Sequence, residues 1–326
     1  MSISIIRAQM QAESFRNYQP ASAAIRAELS AGLLAPQAFI APKYLYDTLG
    51  SKLFAAICEL PEYYPTRTEA DIFSTYRTEI GLAVGTATTF IDLGAGNCAK
   101  AAQLFPTLLP AQYVPVDVSV DFLLDSVAQL QQRFPHIAML GLGLDFSGKL
   151  DLPATVRREK RLFFYPGSSI GNFTPAEALA FFQRLRSACD TDGGVLLGID
   201  LIKSKAVLDA AYDDALGVTA AFNLNLLLHL NQLLGADFNV REWRHLGFFN
   251  SDTSRIEMHL EARVNLTVTW PGATRHFLAG ERIHTENSYK YTLEKFLHLL
   301  AQAGFGEPQI WTDASKWFAV IHARAL

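Results

Sequence analysis

The sequence predicts an α/β protein in which a doubly wound sheet is joined to a smaller α+β unit. Three observations carry this. Buried-strand runs alternate with helix-forming stretches from Thr88 to Leu201, and the first run ends in a Gly-x-Gly turn. The alternation then breaks near Lys203 into helices followed by strands of period two.

The first run is TTFIDLGAGNCAK, Thr88 to Lys100. Phe90, Ile91 and Leu93 read as a buried parallel strand. Gly94 and Gly96 let the backbone turn tightly and approach a ligand with no Cβ in the way. A helix from Cys98 to Leu109 follows, which places a ligand crevice at the strand's carboxyl end. Dinucleotide loops carry a third small residue where Ala99 stands, so the loop alone leaves NAD and S-adenosylmethionine both open. The next strands separate them. YVPVDVS ends in Asp117, about two dozen residues after the loop, where a carboxylate can accept both ribose hydroxyls. IAMLGLGLDF ends in Asp145 and Phe146, a carboxylate for the adenine amine and an aromatic for the ring face. Either aspartate alone fits a solvated strand end equally well. Three successive strand ends with adenosine contacts favour the methyl donor.

Before this domain, residues 1–68 read as mainly helical, with a polar start, an amphipathic stretch from Ala21 to Leu34, and Leu53, Phe54, Ile57 and Leu60 at core spacing. In LPEYYPTRTE two prolines bracket two tyrosines, and Thr68 reads as the cap of a helix running to Ile80. By composition that corner favours packing over a pocket lip. Beyond the third strand, RLFFYPGSSIGNF turns from a buried run into a Gly, Ser and Asn cluster beside the first loop. Thr174 with Glu177 forms a capping box for the helix from Pro175 to Cys189, and GGVLLGIDLI is a further buried strand. Residues 203–290 pass from the helical AVLDAAYDDALGVTAAFNLNLLLHLNQLL to SRIEMHLEARVNLTVTW, TRHFLAG and ERIHTENSYKY, strands that include a PG turn. TLEKFLHLLAQAGF is a helix, and PQIWTDA and WFAVIHARAL supply two last strands. The expected division is 1–68 and 203–290 for one unit, and 69–202 and 291–326 for the other.

Composition narrows the function. With 28 Lys and Arg against 32 Asp and Glu, the net charge is −4, and no basic cluster offers a phosphate track, so nucleic acid is disfavoured. Cys58, Cys98 and Cys189 form no framework, and no His/Cys/Asp cluster offers a metal site. Neither a leader nor a membrane span is signalled, so a cytoplasmic protein with no obligate protein partner is expected.

LPEYYPTRTE, FIDLGAGNCAK, PVDVS, GSSIGNFTP, AYDDALGVTAAFN, NSDTSRIEMHLEAR and TENSYK together closely resemble the histidine-specific Nα-methyltransferases of ergothioneine biosynthesis. The resemblance implies a Rossmann-like methyltransferase domain with a substrate domain made of the N-terminal part and an insertion. It implies S-adenosyl-L-methionine as cofactor, held by Gly94, Lys100, Asp117, Asp145 and Phe146. L-histidine would be held by Tyr63, Asn172 and Tyr212, the last two on its carboxylate, with Glu286 and Ser288 reading the imidazole and Met258 packed nearby. Tyr46, or water near Tyr63, is the candidate base, and loss of the proton to solvent is the simpler alternative. The implied product is the trimethylated amino acid, histidine betaine. Departures are small: Asn97 and Cys98 stand in a variable part of the loop, Ser169 replaces a common Thr, and Asn287 and Tyr289 flank the recognition pair. They leave open the same N-methylation on another amino acid, such as tyrosine or tryptophan.

Overall fold

The computed structural model describes residues 15–17, 22–148, 150–190 and 192–326. The stretches on which a polar start and the absence of a leader were expected lie outside them. Parallel strands β1 (Phe15–Asn17), β2 (Thr89–Leu93), β3 (Gln112–Asp117), β4 (Ala138–Met139), β5 (Gly141–Gly143), β6 (Arg161–Tyr165) and β7 (Gly194–Asp200) order as β1-β5-β3-β2-β6-β7, with β4 also beside β3. The order reverses between β2 and β6, so the crevice opens at their carboxyl ends. The run expected as a single third strand is interrupted at Leu140, between its pairings with Tyr113 and Val116 of β3, and Pro115 in that stretch of β3 has no N–H for the ladder.

Both faces of this sheet are covered. Ile91, Val114, Phe163 and Leu197 pack beneath the helices Pro175–Ala188 and Leu293–Gln302, while Phe90, Tyr113, Phe164 and Leu196 pack against Tyr64–Thr75, Arg77–Val84 and Ala99–Leu108. This is why the strands read as continuous apolar runs. The expected helix from Thr68 to Ile80 begins instead at Tyr64, because Pro65 suits the first turn, and it breaks at Tyr76 into a second helix. Thr174 and Glu177 form the expected capping box.

A three-stranded antiparallel sheet follows: β8 (Trp243–Asn250), β9 (Arg255–Ala262) and β12 (Arg282–Tyr289), ordered β12-β9-β8. Between β9 and β12, the hairpin β10 (Leu266–Trp270) and β11 (Ala273–Phe277) turns at Pro271 and Gly272. β8 lies outside the period-two stretches of the sequence, because its inward positions include the polar His245 and the side-chain-free Gly247, both against the Tyr212 carbonyl. A third apolar core joins distant stretches: Leu29, Leu45, Ile57 and Tyr63 pack with Leu208, Phe222, Trp243, Met258 and Ile283. Strands β13 (Phe305–Thr312) and β14 (Phe318–Ala325) complete the main sheet, β14 pairing antiparallel with β7 and β13.

Candidate active site

The nucleotide loop is shaped by backbone. Gly94 (φ +72°) and Gly96 (φ +52°) both take conformations that favour glycine. A Cβ built on Gly94 would lie 3.9 Å from the Phe146 ring, and one on Gly96 would meet nothing within 4 Å, so the loop faces open space beneath an aromatic. Asp117, at the end of β3, accepts the Gly96 N–H at 2.9 Å on one oxygen and the Ser119 N–H at 2.8 Å on the other. Each oxygen keeps a lone pair, which suits two hydroxyls. Asp145 takes the N–H and O–H of Ser147 on one oxygen and the Lys43 ammonium at 2.9 Å on the other. Burial alone would raise its pKa. The Ser147 and Lys43 bonds outweigh that and hold it below the usual range.

Lys100 is occupied by Glu69. Glu69, fully buried, accepts the Lys100 ammonium at 2.5 Å and the Gly167 N–H at 2.6 Å, tying LPEYYPTRTE to both glycine-bearing loops. That stretch is therefore more than a packed corner. Arg67 also pins it, donating to the carbonyls of Leu60 and Pro61.

The second half of the site comes from β12. Its alternation turns Glu286 and Ser288 to the interior, while Asn287 accepts from His284 and Tyr289 accepts from Arg255 on the opposite face. A bulge between His284 and Glu286 sets Glu286 opposite Met258. Tyr212, at the end of the helix Lys205–Tyr212, donates to Ser288 Oγ at 3.1 Å, and its ring meets Tyr63 edge-on at 6.0 Å. Phe54 bridges Tyr63 and Tyr46, with ring centroids at 6.2 and 5.4 Å, to form an aromatic wall. Gly171 lies so close to β12 that a Cβ there would be 2.9 Å from the Tyr289 carbonyl oxygen, which seats the Asn172 loop against Ser288. Ser119 Oγ donates to the Tyr46 carbonyl at 3.2 Å, so the nucleotide cradle and the aromatic pocket adjoin.

Electrostatics single out Glu286. It is 8% exposed and makes no hydrogen bond among the described residues. Burial raises its pKa to about 7, against the pull of Lys290. Burial, with Glu286 among the nearby charges, also pushes the Tyr46 and Tyr63 phenols well up.

A model of the SAM-dependent, histidine-specific methyltransferases matches residues 25–325. The chain belongs to that family. It is 39% identical to histidine N-alpha-methyltransferase of Mycolicibacterium smegmatis, over 94% of this chain and 98% of that one. Identity to histidine N-alpha-methyltransferase of Mycobacterium tuberculosis is 37%, over 91% and 94%. Ergothioneine biosynthesis protein 1 of Neurospora crassa is 28% identical over 84% of this chain but only 32% of its own longer length. As in the family, the cofactor is S-adenosylmethionine.

The sequence reading missed several members of this methyltransferase's polar framework. Lys43, Glu69, Ser119, Tyr64, Asp200, Lys203 and Lys290 all join it. Signals for some were present. Glu69 lies inside LPEYYPTRTE, and Lys290 continues the inward alternation of Glu286 and Ser288.

Proposed function

We propose that this chain transfers methyl groups from S-adenosylmethionine to the α-amino nitrogen of L-histidine, up to three times, giving histidine betaine in ergothioneine biosynthesis. The observation that carries this is Glu286. A buried carboxyl with no internal hydrogen bond, beside the Ser288 hydroxyl, matches a ring that offers two nitrogens. A phenyl or aliphatic side chain would leave both groups unpaired, and such sites reject analogues by roughly 10⁴-fold.

In this reading Gly94, Lys100, Asp117, Asp145 and Phe146 hold the cofactor, whose sulfonium supplies the electrophilic methyl. Lys100 reaches it while paired to Glu69, and Asp145 while paired to Lys43. Asn172 and Tyr212 hold the substrate carboxylate, and Met258 backs Glu286. The catalytic work of the chain is alignment and exclusion of water. Tyr63 and Tyr46 act as hydrogen-bond donors and aromatic walls. Burial favours both phenols in their neutral form, so the amine's proton leaves to solvent before each transfer in this reading. The cationic product is then favoured by cation–π attraction of about 0.5 to 2 kcal/mol. The division expected at residue 68 is amended at its start: the edge strand Phe15–Asn17 pairs with β5 in the cofactor unit, which otherwise takes 69–202 with 291–326, residues 22–68 with 203–290 form the substrate unit, and the helix Tyr64–Thr75 spans the junction.

Wild-type protein with excess donor and histidine, tyrosine or tryptophan, followed by mass spectrometry, tests this. Histidine should gain one, two and three methyls on the α-nitrogen. Preference for tyrosine, or methylation on a ring nitrogen, would overturn the reading.

A further inference from the structure

Lys290 lies just beyond β12, with its side chain fully shielded from solvent. An ammonium has three donors, and here all three are engaged. They reach Asp200 at 2.7 Å, Ser288 Oγ at 2.8 Å and Tyr212 Oη at 3.2 Å. The ammonium also lies 4.9 Å from the centre of the Tyr212 ring. Asp200 is shared with a second buried cation, Lys203, at 2.5 Å, and it also accepts from Tyr64 Oη at 2.6 Å. The two lysines lean on the one carboxylate between them, with Asp313 acting on Lys203 and Glu286 on Lys290 only through space, so an anion entering at this end of the pocket meets two buried donors of positive sign.

The hydrogen-bond directions say where that anion goes. Tyr212 Oη accepts from Lys290, which commits its own O–H to donate. An oxygen that accepts from a cation is a stronger donor through its own hydrogen. Without ligand that hydrogen goes to Ser288.

We propose that Lys290 is the positioning residue for the carboxylate end of the substrate. It makes Tyr212 a committed donor and, with Lys203, supplies buried ammonium groups toward which the carboxylate is drawn. Its bond to Ser288 ties this end of the pocket to the imidazole end. The inference rests on the histidine reading above. It assigns the selection of an α-amino acid over the corresponding amine to a lysine that need not touch the ligand. Lys290→Met leaves Asp200 held by Lys203 and Tyr64, so a carboxylate is not stranded.

The test is calorimetry with S-adenosylhomocysteine present, comparing histidine with histamine, which has the same ring and amine but no carboxylate. Wild type should prefer histidine by about 100-fold, the size of a charge-assisted bond. In Lys290→Met that ratio should fall below about tenfold, with affinity for S-adenosylhomocysteine kept. Tyr212→Phe should lose the same preference, and the double variant should lose no more than the worse single. A merely structural lysine would weaken both ligands alike and leave the ratio intact. An intact ratio in either single variant, or additive losses, overturns the proposal. Should Lys290→Met not fold, Lys290→Gln takes its place, with a ratio below about tenfold expected and an intact ratio overturning the proposal. If wild type binds histidine no better than tyrosine, the histidine reading fails instead.

Discussion

The cofactor cradle and the substrate pocket sit side by side and are built by opposite means. The cradle uses backbone and strand ends that are close in sequence: Gly94 and Gly96 follow β2, Asp117 ends the adjacent β3, and Asp117 shapes the two loops by accepting the Gly96 and Ser119 N–H groups. The pocket uses side chains from residues 46 to 290, brought together by the third core and by β12 lying against the Asn172 loop. A cradle of this kind requires only a strand, a turn and a helix. The pocket requires the whole chain to be folded, and in return it encloses groups that water would otherwise satisfy.

If the pocket carries specificity, its largest break is Glu286→Ala. Its kcat/KM for histidine should fall by about 10³-fold or more, with S-adenosylhomocysteine affinity unchanged. Adding Met258→Val should open apolar space and begin turnover of tryptophan. Assays on the three amino acids side by side would show this, and equal histidine activity in wild type and variant would remove Glu286 from the site.

The raised Glu286 pKa sharpens the same point through pH. Its neutral form is favoured in the folded protein, so its contribution to stability is fully present below about 4.5 and is lost as pH rises through about 7. A shift of this size corresponds to about 3 kcal/mol. Thermal unfolding of the free protein should therefore decline between these pH values more steeply than that of Glu286→Gln. Matching slopes would show that Glu286 ionises freely.

On the cradle side, Asp117→Ala should weaken cofactor binding by about 1.5 to 3 kcal/mol, since it removes two backbone-ordering bonds together with the ribose acceptor. Histidine binding measured without cofactor should hold. Calorimetry finding unaltered cofactor affinity would take Asp117 out of the cradle. The smallest effect is expected at Thr174, whose capping box touches neither region: Thr174→Ala should cost about 1 kcal/mol of stability and alter neither ligand's affinity. A change in either affinity would mean that the helix Pro175–Ala188 transmits to the site.

The cradle was legible because its signals are local. An apolar run, two glycines and an acidic strand end are each read within a few residues. The capping box and the PG hairpin were legible for the same reason. The pocket residues Glu286, Ser288 and Tyr212 came from family resemblance, because an acidic residue on a half-polar strand reads equally well as solvated. Glu69, Lys43 and Lys290 went unread because their partners lie 31, 102 and 78 or more residues away in their key bonds to Lys100, Asp145 and Tyr212.

By itself the sequence determined the α/β class, the nucleotide loop, the order of helices and strands around it, and through its motifs the family. These follow from periodicity and from the conformations that Gly and Pro allow, both properties of neighbouring residues. Only the tertiary structure decided which face of β12 looks inward, that Glu286 lacks an internal partner, and that two lysines share Asp200. Burial and hydrogen-bond direction depend on what distant segments bring to the same point, and no local pattern carries that information.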